Sequence, residues 1–198
     1  MSSPGLRERK KQKTRWAIQE HALRLIAQQG YDATTVEQIA AAAEISPSTF
    51  FRYFPTKEDV VVEDRYDPVF VEIFDAQPAA LAPLAALRTA LHELIDRIPA
   101  EEVERARLRT SLVMGHPALR SRIYQNLTQT MDLVGTHVAA RVGMDPADLR
   151  IRAFSGAVVG ALVSVMTVWM DAGGRDELLA LSDQAFDVLD RGLDAALR

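Results

Sequence analysis

The 198-residue chain has no cysteine. Disulfides and thiolate metal sites are therefore excluded, which suits a reducing compartment. Histidine is scarce: His21, His92, His116 and His137 are scattered and show no ligand spacing, so no metal site is expected. There is no GxSxG, no Walker loop and no dinucleotide fingerprint. No nucleophile–base pair is visible either, so neither an enzyme nor a cofactor is expected. No segment alternates convincingly like a strand, and no internal repeat is present. The N-terminal stretch MSSPGLRERKKQKTR is basic but no apolar signal region follows it. The expectation is a soluble, cytoplasmic protein, long enough to bury a core without staples.

Net negative charge hides a strong asymmetry. The formal total is −4. Residues 1–57 hold nine Lys/Arg against five Asp/Glu, a net of +4, and residues 58–198 carry the balancing −8. A basic module joined to an acidic body points to an anionic partner for the first part.

What is abundant is helical periodicity, which predicts an all-α fold of about nine helices. Ile18, Ala22, Leu25 and Ile26 share a face of a helix from Thr14 to Gln29, which Gly30 stops. Thr35 caps a second helix, with Gln38 completing a capping box and Val36, Ile39, Ala40 and Ala43 as its buried stripe. Ser46 caps a short third helix with Pro47 in its first position. Thr56 caps a fourth, which Pro68 breaks or kinks, with Asp67 capping the restart. Longer helices follow: Leu81–Ile98, Glu101–Met114, Pro117–Val142, a helix opened by Asp145 and Pro146 and ended by Gly173 and Gly174, and Asp176–Leu197.

AFSGAVVGALVSVMTVWM, Ala153 to Met170, is uncharged for eighteen residues and reaches the lower limit for a membrane span. Ser155, Ser164 and Thr167 interrupt it and no other segment resembles a span, so a helix buried on several sides of a soluble bundle is expected. Gly156 and Gly160 have GxxxG spacing, which permits close helix contact, including with a second copy.

Aromatics make up only 7% of the chain, yet four of them fall in five positions, Phe50 to Phe54. On a helical wheel Phe50 and Phe54 share one face, with Tyr53 beside them. Ser48 and Arg52 point the other way, and Thr49 and Phe51 lie on the flanks. The second and third helices form a helix-turn-helix. Phe50 and Phe54 should lock it in place, while Ser48, Thr49, Arg52 and Phe51, with Ser46 and Pro47 at the helix start, face a major groove. Phe51 has two options, touching a thymine methyl or packing back. Thr35, Tyr53, Lys57, Lys13 and Arg15 suit phosphates, together with the basic arm Arg7, Arg9, Lys10 and Lys11.

The segment ATTVEQIAAAAEISPSTFFRYFPTKEDVV, with TRWAIQEHALRLIAQQGYDA before it, resembles the TetR family of one-component regulators over residues 12–61. Ser48 stands where the family often has Gly, and Phe51 where it often has Tyr. The resemblance implies an all-helical homodimer. Its domains would be a DNA-binding domain over 1–57, on a palindromic operator, and a ligand-binding and dimerisation domain over 58–198. The last two long helices would form the dimer interface. Residues 100–174 look similar to the acyl-CoA-like ligand domain of some members, through Arg109, Pro117, Leu119, Arg120 and Trp169. That similarity implies a small amphipathic or acyl-type effector. Met114, Tyr124, Met131, Val134, Phe154, Met166 and Trp169 are the candidate apolar lining, and Arg105, Arg109, Arg120 or Arg122 the partners of an anionic end. The expected function is a ligand-released repressor; an activator or effector-independent regulator has the same N-terminal module.

Overall fold

The computed structural model describes residues 6–63, 66–172 and 175–192, the side chains of 6–9, 124, 125, 171, 172 and 175 lying outside that set. Gly173, Gly174 and Leu197 therefore lie outside the described residues. Within them there are ten α-helices and no strand: α1 (Leu6–Gln29), α2 (Val36–Ala42), α3 (Pro47–Tyr53), α4 (Lys57–Val62), α5 (Asp67–Asp75), α6 (Pro83–Arg97), α7 (Ala100–Gly115), α8 (Pro117–Val142), α9 (Leu149–Ala172) and α10 (Arg175–Arg191). The all-helical expectation holds. The tenth helix arises because α4 ends at Val62, ahead of the break expected at Pro68, which instead sits in the first turn of a separate α5. Asp67 is the first residue of α5 and not its cap; Tyr66 holds the cap position without a side-chain bond.

The chain forms two compact units, one of residues up to 65 plus His116–Arg122, the other of Tyr66–Gly115 and the residues from Ile123 onward. In the first, α1 starts well before Thr14, because its Arg, Lys, Gln and Glu residues are good helix formers. It ends at Gly30, whose φ of +87° no side chain opposes. The Thr35–Gln38 capping box opens α2. Ile39 and Ala40 are buried, whereas Val36 and Ala43 are half-buried. The turn into α3 passes through Glu44 at φ +54°, a left-handed position that costs a non-glycine residue energy. Ile45 N–H still finds the Ala40 carbonyl at 2.9 Å. Ile18, Ala22, Ile26, Ile39, Ala40, Phe50, Phe54, Val60 and Val61 are the buried apolar residues of these helices.

Residues 116–122 complete this unit through contacts that sequence spacing does not reveal. The His116 ring lies 4.4 Å from that of Tyr31, and its Nε2 is 3.1 Å from Asp32 Oδ1. Leu119 is fully buried. Arg122 donates from Nε to Asp59 Oδ1 at 2.7 Å, with Nη2 also 2.7 Å from that oxygen. The other carboxylate oxygen accepts from Thr56 N–H at 2.9 Å and Thr56 Oγ1 at 2.8 Å, closing the capping box of α4. One side chain thus starts α4 and holds Arg122 in the second turn of α8.

In the second unit α9 packs on α10 and α7, α10 on α6, and α6 on α5. The main core includes Ile73, Phe74, Leu87, Val138, Val158, Val159 and Phe186. A second cluster joins Ile95, Val103, Val165, Trp169 and Leu178. Helices α8 and α9 approach closely at Gly135, where an added Cβ would lie 2.9 Å from Ser155 Oγ. The turn before α9 corrects the expected cap. Asp145 and Pro146 precede the helix, and Asp148 caps it by accepting from the Arg150 N–H at 2.9 Å. The Arg150 side chain and N–H hold the Asp148 carboxyl down at about 2.

The apolar helix α9 is long and hydrophobic enough to cross a membrane by length and composition, but it is two-faced. Ile151, Ser155, Val158, Val159, Val165 and Trp169 point inward, while Ala153, Ala157, Gly160, Ser164, Thr167 and Val168 are exposed. It is buried on one side within the chain, and not on several as expected.

Two substitutions test this packing. Phe50→Ala should lower unfolding free energy in urea by roughly 3–5 kcal/mol, because the ring has no exposed surface. Arg122→Ala should lower it by roughly 1–3 kcal/mol, between the effects of exposed and fully buried pairs. Arg122→Lys should recover only part of the loss, since Lys cannot offer two donors from one planar group.

Candidate nucleic-acid interface

Helix α3 is built as two faces by its own sequence. Ser46 Oγ accepts the Thr49 N–H at 3.1 Å and Pro47 sits in the first turn, so the helix begins where expected. Phe50 and Phe54 are 0% and 1% exposed and meet as tilted rings, 5.8 Å between centroids. Ser46, Pro47, Ser48, Phe51 and Arg52 are exposed, and Thr49 and Tyr53 are half-buried. Every α3 residue nominated for the groove is thus at least partly accessible. The hydroxyls of the first turn are linked, with Ser46 Oγ 2.9 Å from both Ser48 Oγ and Thr49 Oγ1. Phe51 is 50% exposed and stands perpendicular to Phe50 at 5.5 Å. Arg52 lies over the Tyr53 ring, 5.6 Å from its centroid, within cation–π range.

Two residues nominated for phosphate are instead engaged inside the unit. Lys57 Nζ donates to the Tyr31 and Thr34 carbonyls, both at 2.9 Å, and sits 4.0 Å from the Tyr31 ring centroid. Its charge satisfies the carbonyls of the α1–α2 connection. Arg15 donates to the Tyr53 carbonyl at 2.7 Å and through two nitrogens to Glu63, with its guanidinium 4.5 Å over Phe54. It braces α1 against the end of α3. Thr35 is exposed, but its N–H is taken by Gln38 and Glu37 adds a negative charge to the same turn. Lys13 is exposed on α1, as are Lys10 and Lys11. The Arg7 and Arg9 side chains lie outside the described set.

Around Lys57 the electrostatics are tightly set. Tyr31 donates its hydroxyl to Glu58. Burial, reinforced by the Glu58 carboxylate, pushes the Tyr31 hydroxyl well above its ordinary range. Burial alone would raise Glu58, but the hydrogen bond from Tyr31 and its other bonds outweigh this and hold it below the usual carboxylate value. Tyr31 is therefore a neutral donor, and Glu58 a charged acceptor, at neutral pH.

The nominated pocket residues are not gathered in one place. Met131 and Phe154 pack on the main core, and Met166 and Trp169 belong with the second cluster, Trp169 being 1% exposed. Met114 and Arg109 are half-buried on α7. Arg120 is exposed and belongs to the first unit. The Tyr124 side chain lies outside the described set. A shallow crevice between α9 and α10, too narrow to take even a water-sized sphere, is lined by Val158, Ala161, Leu162, Ala185, Phe186 and Leu189, none of them nominated. The histidines have separate partners: His92 pairs with Asp183, His116 with Asp32 and His137 with Asp75, while His21 meets Arg24.

Comparison with known proteins agrees with the helix-turn-helix geometry. Residues 18–63 match the family described as bacterial regulatory proteins of the tetR family, and residues 81–194 match the MftR C-terminal domain. The chain is similar to the HTH-type transcriptional regulator TcmR of Streptomyces glaucescens, 35% identical over 156 residues that cover 74% of this chain and 68% of TcmR. It is also similar to the regulator MftR of Mycobacterium tuberculosis, 26% identical over 94% of both chains. Its fold resembles the crystal structure of Thermus thermophilus FadR, a TetR family transcriptional repressor in complex with lauroyl-CoA. The TM-score is 0.58 at 21% identity, over 90% of this chain and 94% of FadR. The matched domains and relatives are regulators of transcription and not enzymes. The chain belongs to the TetR family of bacterial transcriptional regulators.

Proposed function

We propose that the protein is a repressor that grips a palindromic operator as a homodimer and lets go when a small effector binds. The observation that carries this reading is the outward face of α3, where Ser48, Phe51 and Arg52 are exposed on a helix anchored by Phe50 and Phe54. A helix held so firmly from behind can present side chains to base edges without losing order on binding. Exposed Lys10, Lys11 and Lys13 on α1 supply salt-dependent attraction to phosphates.

The outer stripe of α9 supports the homodimer. An added Cβ at Gly156 or Gly160 would meet nothing within 4 Å, so their smallness is not used inside the chain. Together with exposed Ala153, Ala157, Ser164 and Val168 they allow a second α9 to approach closely. The effector would act on the second unit, and an amphipathic acyl-type molecule, as in the FadR complex, fits the flexible Met131 and Met166 and the arginines of α7. It must bind the released state more tightly than the gripping one, because equal affinity shifts nothing. The route to α4 runs along the chain itself, since α7 leads directly into His116–Arg122, and Arg122 holds Asp59.

Operator sequences can be recovered by selecting a randomised duplex pool on the full-length protein. Arg52→Ala should then weaken operator binding by roughly 1–3 kcal/mol, about 5- to 150-fold, with an unchanged melting temperature. Unchanged affinity would remove α3 from the interface. Gly160→Arg should convert the dimer to monomer in sedimentation velocity while leaving the helical circular dichroism intact; a variant that still sediments as a dimer would place the interface elsewhere.

A further inference from the structure

We infer that Glu63 is a positioning residue for operator binding: an acidic side chain that, through Arg15, fixes the C-terminal end of α3 and so raises affinity for a polyanion. The inference rests on the operator-binding reading above. Helix α3 has seven residues, too few to hold a helix in water unaided. Ser46 caps its start, and Phe50 and Phe54 pin one face. The carbonyls of its last turn need partners, and Arg15 Nη1 donates to that of Tyr53 at 2.7 Å. A guanidinium is rigid and planar, so its other bonds decide where that donor sits. Nε and Nη2 of Arg15 donate to the two carboxylate oxygens of Glu63, and the guanidinium lies 4.5 Å from the Phe54 ring centroid. Glu63 is held in turn. Gln19, one turn along α1 from Arg15 and 6% exposed, donates to the Glu63 carbonyl at 2.8 Å and to that of Val60 at 3.1 Å. The C-terminal ends of α3 and α4 are therefore tied through one arginine. Without the carboxylate, Arg15 is held by a neutral carbonyl at the end of a long flexible stem. Side chains that meet a partner need positions good to about 0.5 Å and 10–20°. Glu63 supplies that precision to α3, while its own charge opposes DNA. The two effects have opposite signs on removal, which separates them.

The test compares a duplex enriched by the full-length wild-type protein with a scrambled one. Affinities are read by fluorescence anisotropy, with active protein counted by stoichiometric titration. Glu63→Gln should weaken operator binding about tenfold, within the range for residues that share one bonded network. Its affinity for the scrambled duplex should stay the same or rise, because a negative charge has gone. Glu63→Asp keeps the charge but shortens the arm, and should show the same selective loss, so the result does not depend on one variant folding. Arg15→Gln should match Glu63→Gln and leave the slope of log affinity against log salt unchanged. The double variant should lose little more than either single one. Operator binding that is unchanged or tighter in Glu63→Gln would overturn the assignment. So would an equal loss on both duplexes, or an Arg15→Gln slope lowered by about one, which would place Arg15 on a phosphate. A pool in which no sequence is enriched would instead overturn the operator-binding reading, and this assignment with it.

Discussion

The first unit depends on a carboxylate that does two things at once. Asp59 closes the capping box of α4 with one oxygen and holds Arg122 with the other. At 8% exposure, a polar side chain needs partners for its oxygens, and here both are occupied. The same geometry fixes where α4 starts, and therefore where Lys57 sits. Lys57 in turn holds the Tyr31 and Thr34 carbonyls that lead into α2. Tyr31 is met from the other side by the His116 ring. A circuit of contacts therefore runs from the α1–α2 connection through α4 to the start of α8. Helix α8 then runs on into the second unit.

Charge plays two separate roles in this unit. Arg15 and Lys57 are spent internally: one braces α1 against α3 and α4, and the other satisfies loop carbonyls. Lys13, Lys10 and Lys11 stay outside. A cation with two or three protein acceptors gains little by moving to a phosphate, since it must give up charge-assisted bonds of similar strength. The distinction matters for how affinity is divided. In the operator-binding reading proposed above, the outer lysines would set the salt dependence and the inner cations the stiffness of the frame around α3.

Much of this was legible in the sequence because it is written locally. The Thr35, Ser46 and Thr56 caps, the Gly30 stop and the Phe50–Phe54 pair are encoded within four or five residues, and the structure has each where the spacing puts it. What spacing could not show is pairing across the chain. The Arg122–Asp59 contact joins residues 63 apart, and His116–Asp32 joins residues 84 apart. An arginine inside RARLRTSLVMGHPALRSRIYQNL reads equally well as a ligand partner, a surface ion pair or a brace. Arg15 and Lys57 carried the same ambiguity, since a basic residue near an anion-binding helix has the same composition whether it faces phosphate or a carbonyl. The Asp145 cap failed for a different reason. Asp145 and Asp148 are both good caps, and the helix began at the later one, with Pro146 held in the preceding turn.

Helix α9 shows how composition becomes architecture only through its faces. By hydropathy alone it qualifies as a membrane span, yet its inward residues include Ser155, whose hydroxyl bonds the Ile151 carbonyl at 2.7 Å and nestles at Gly135. Its outward residues are not the large aliphatics of a lipid-facing surface but mostly Ala, Gly, Ser and Thr. Small side chains bury little area each, so such a stripe gains nothing from lipid tails and much from a closely fitting surface. In the homodimer proposed above, that surface is a second copy of the same stripe. In that proposal the second copy also brings the second α3 that a two-fold operator requires.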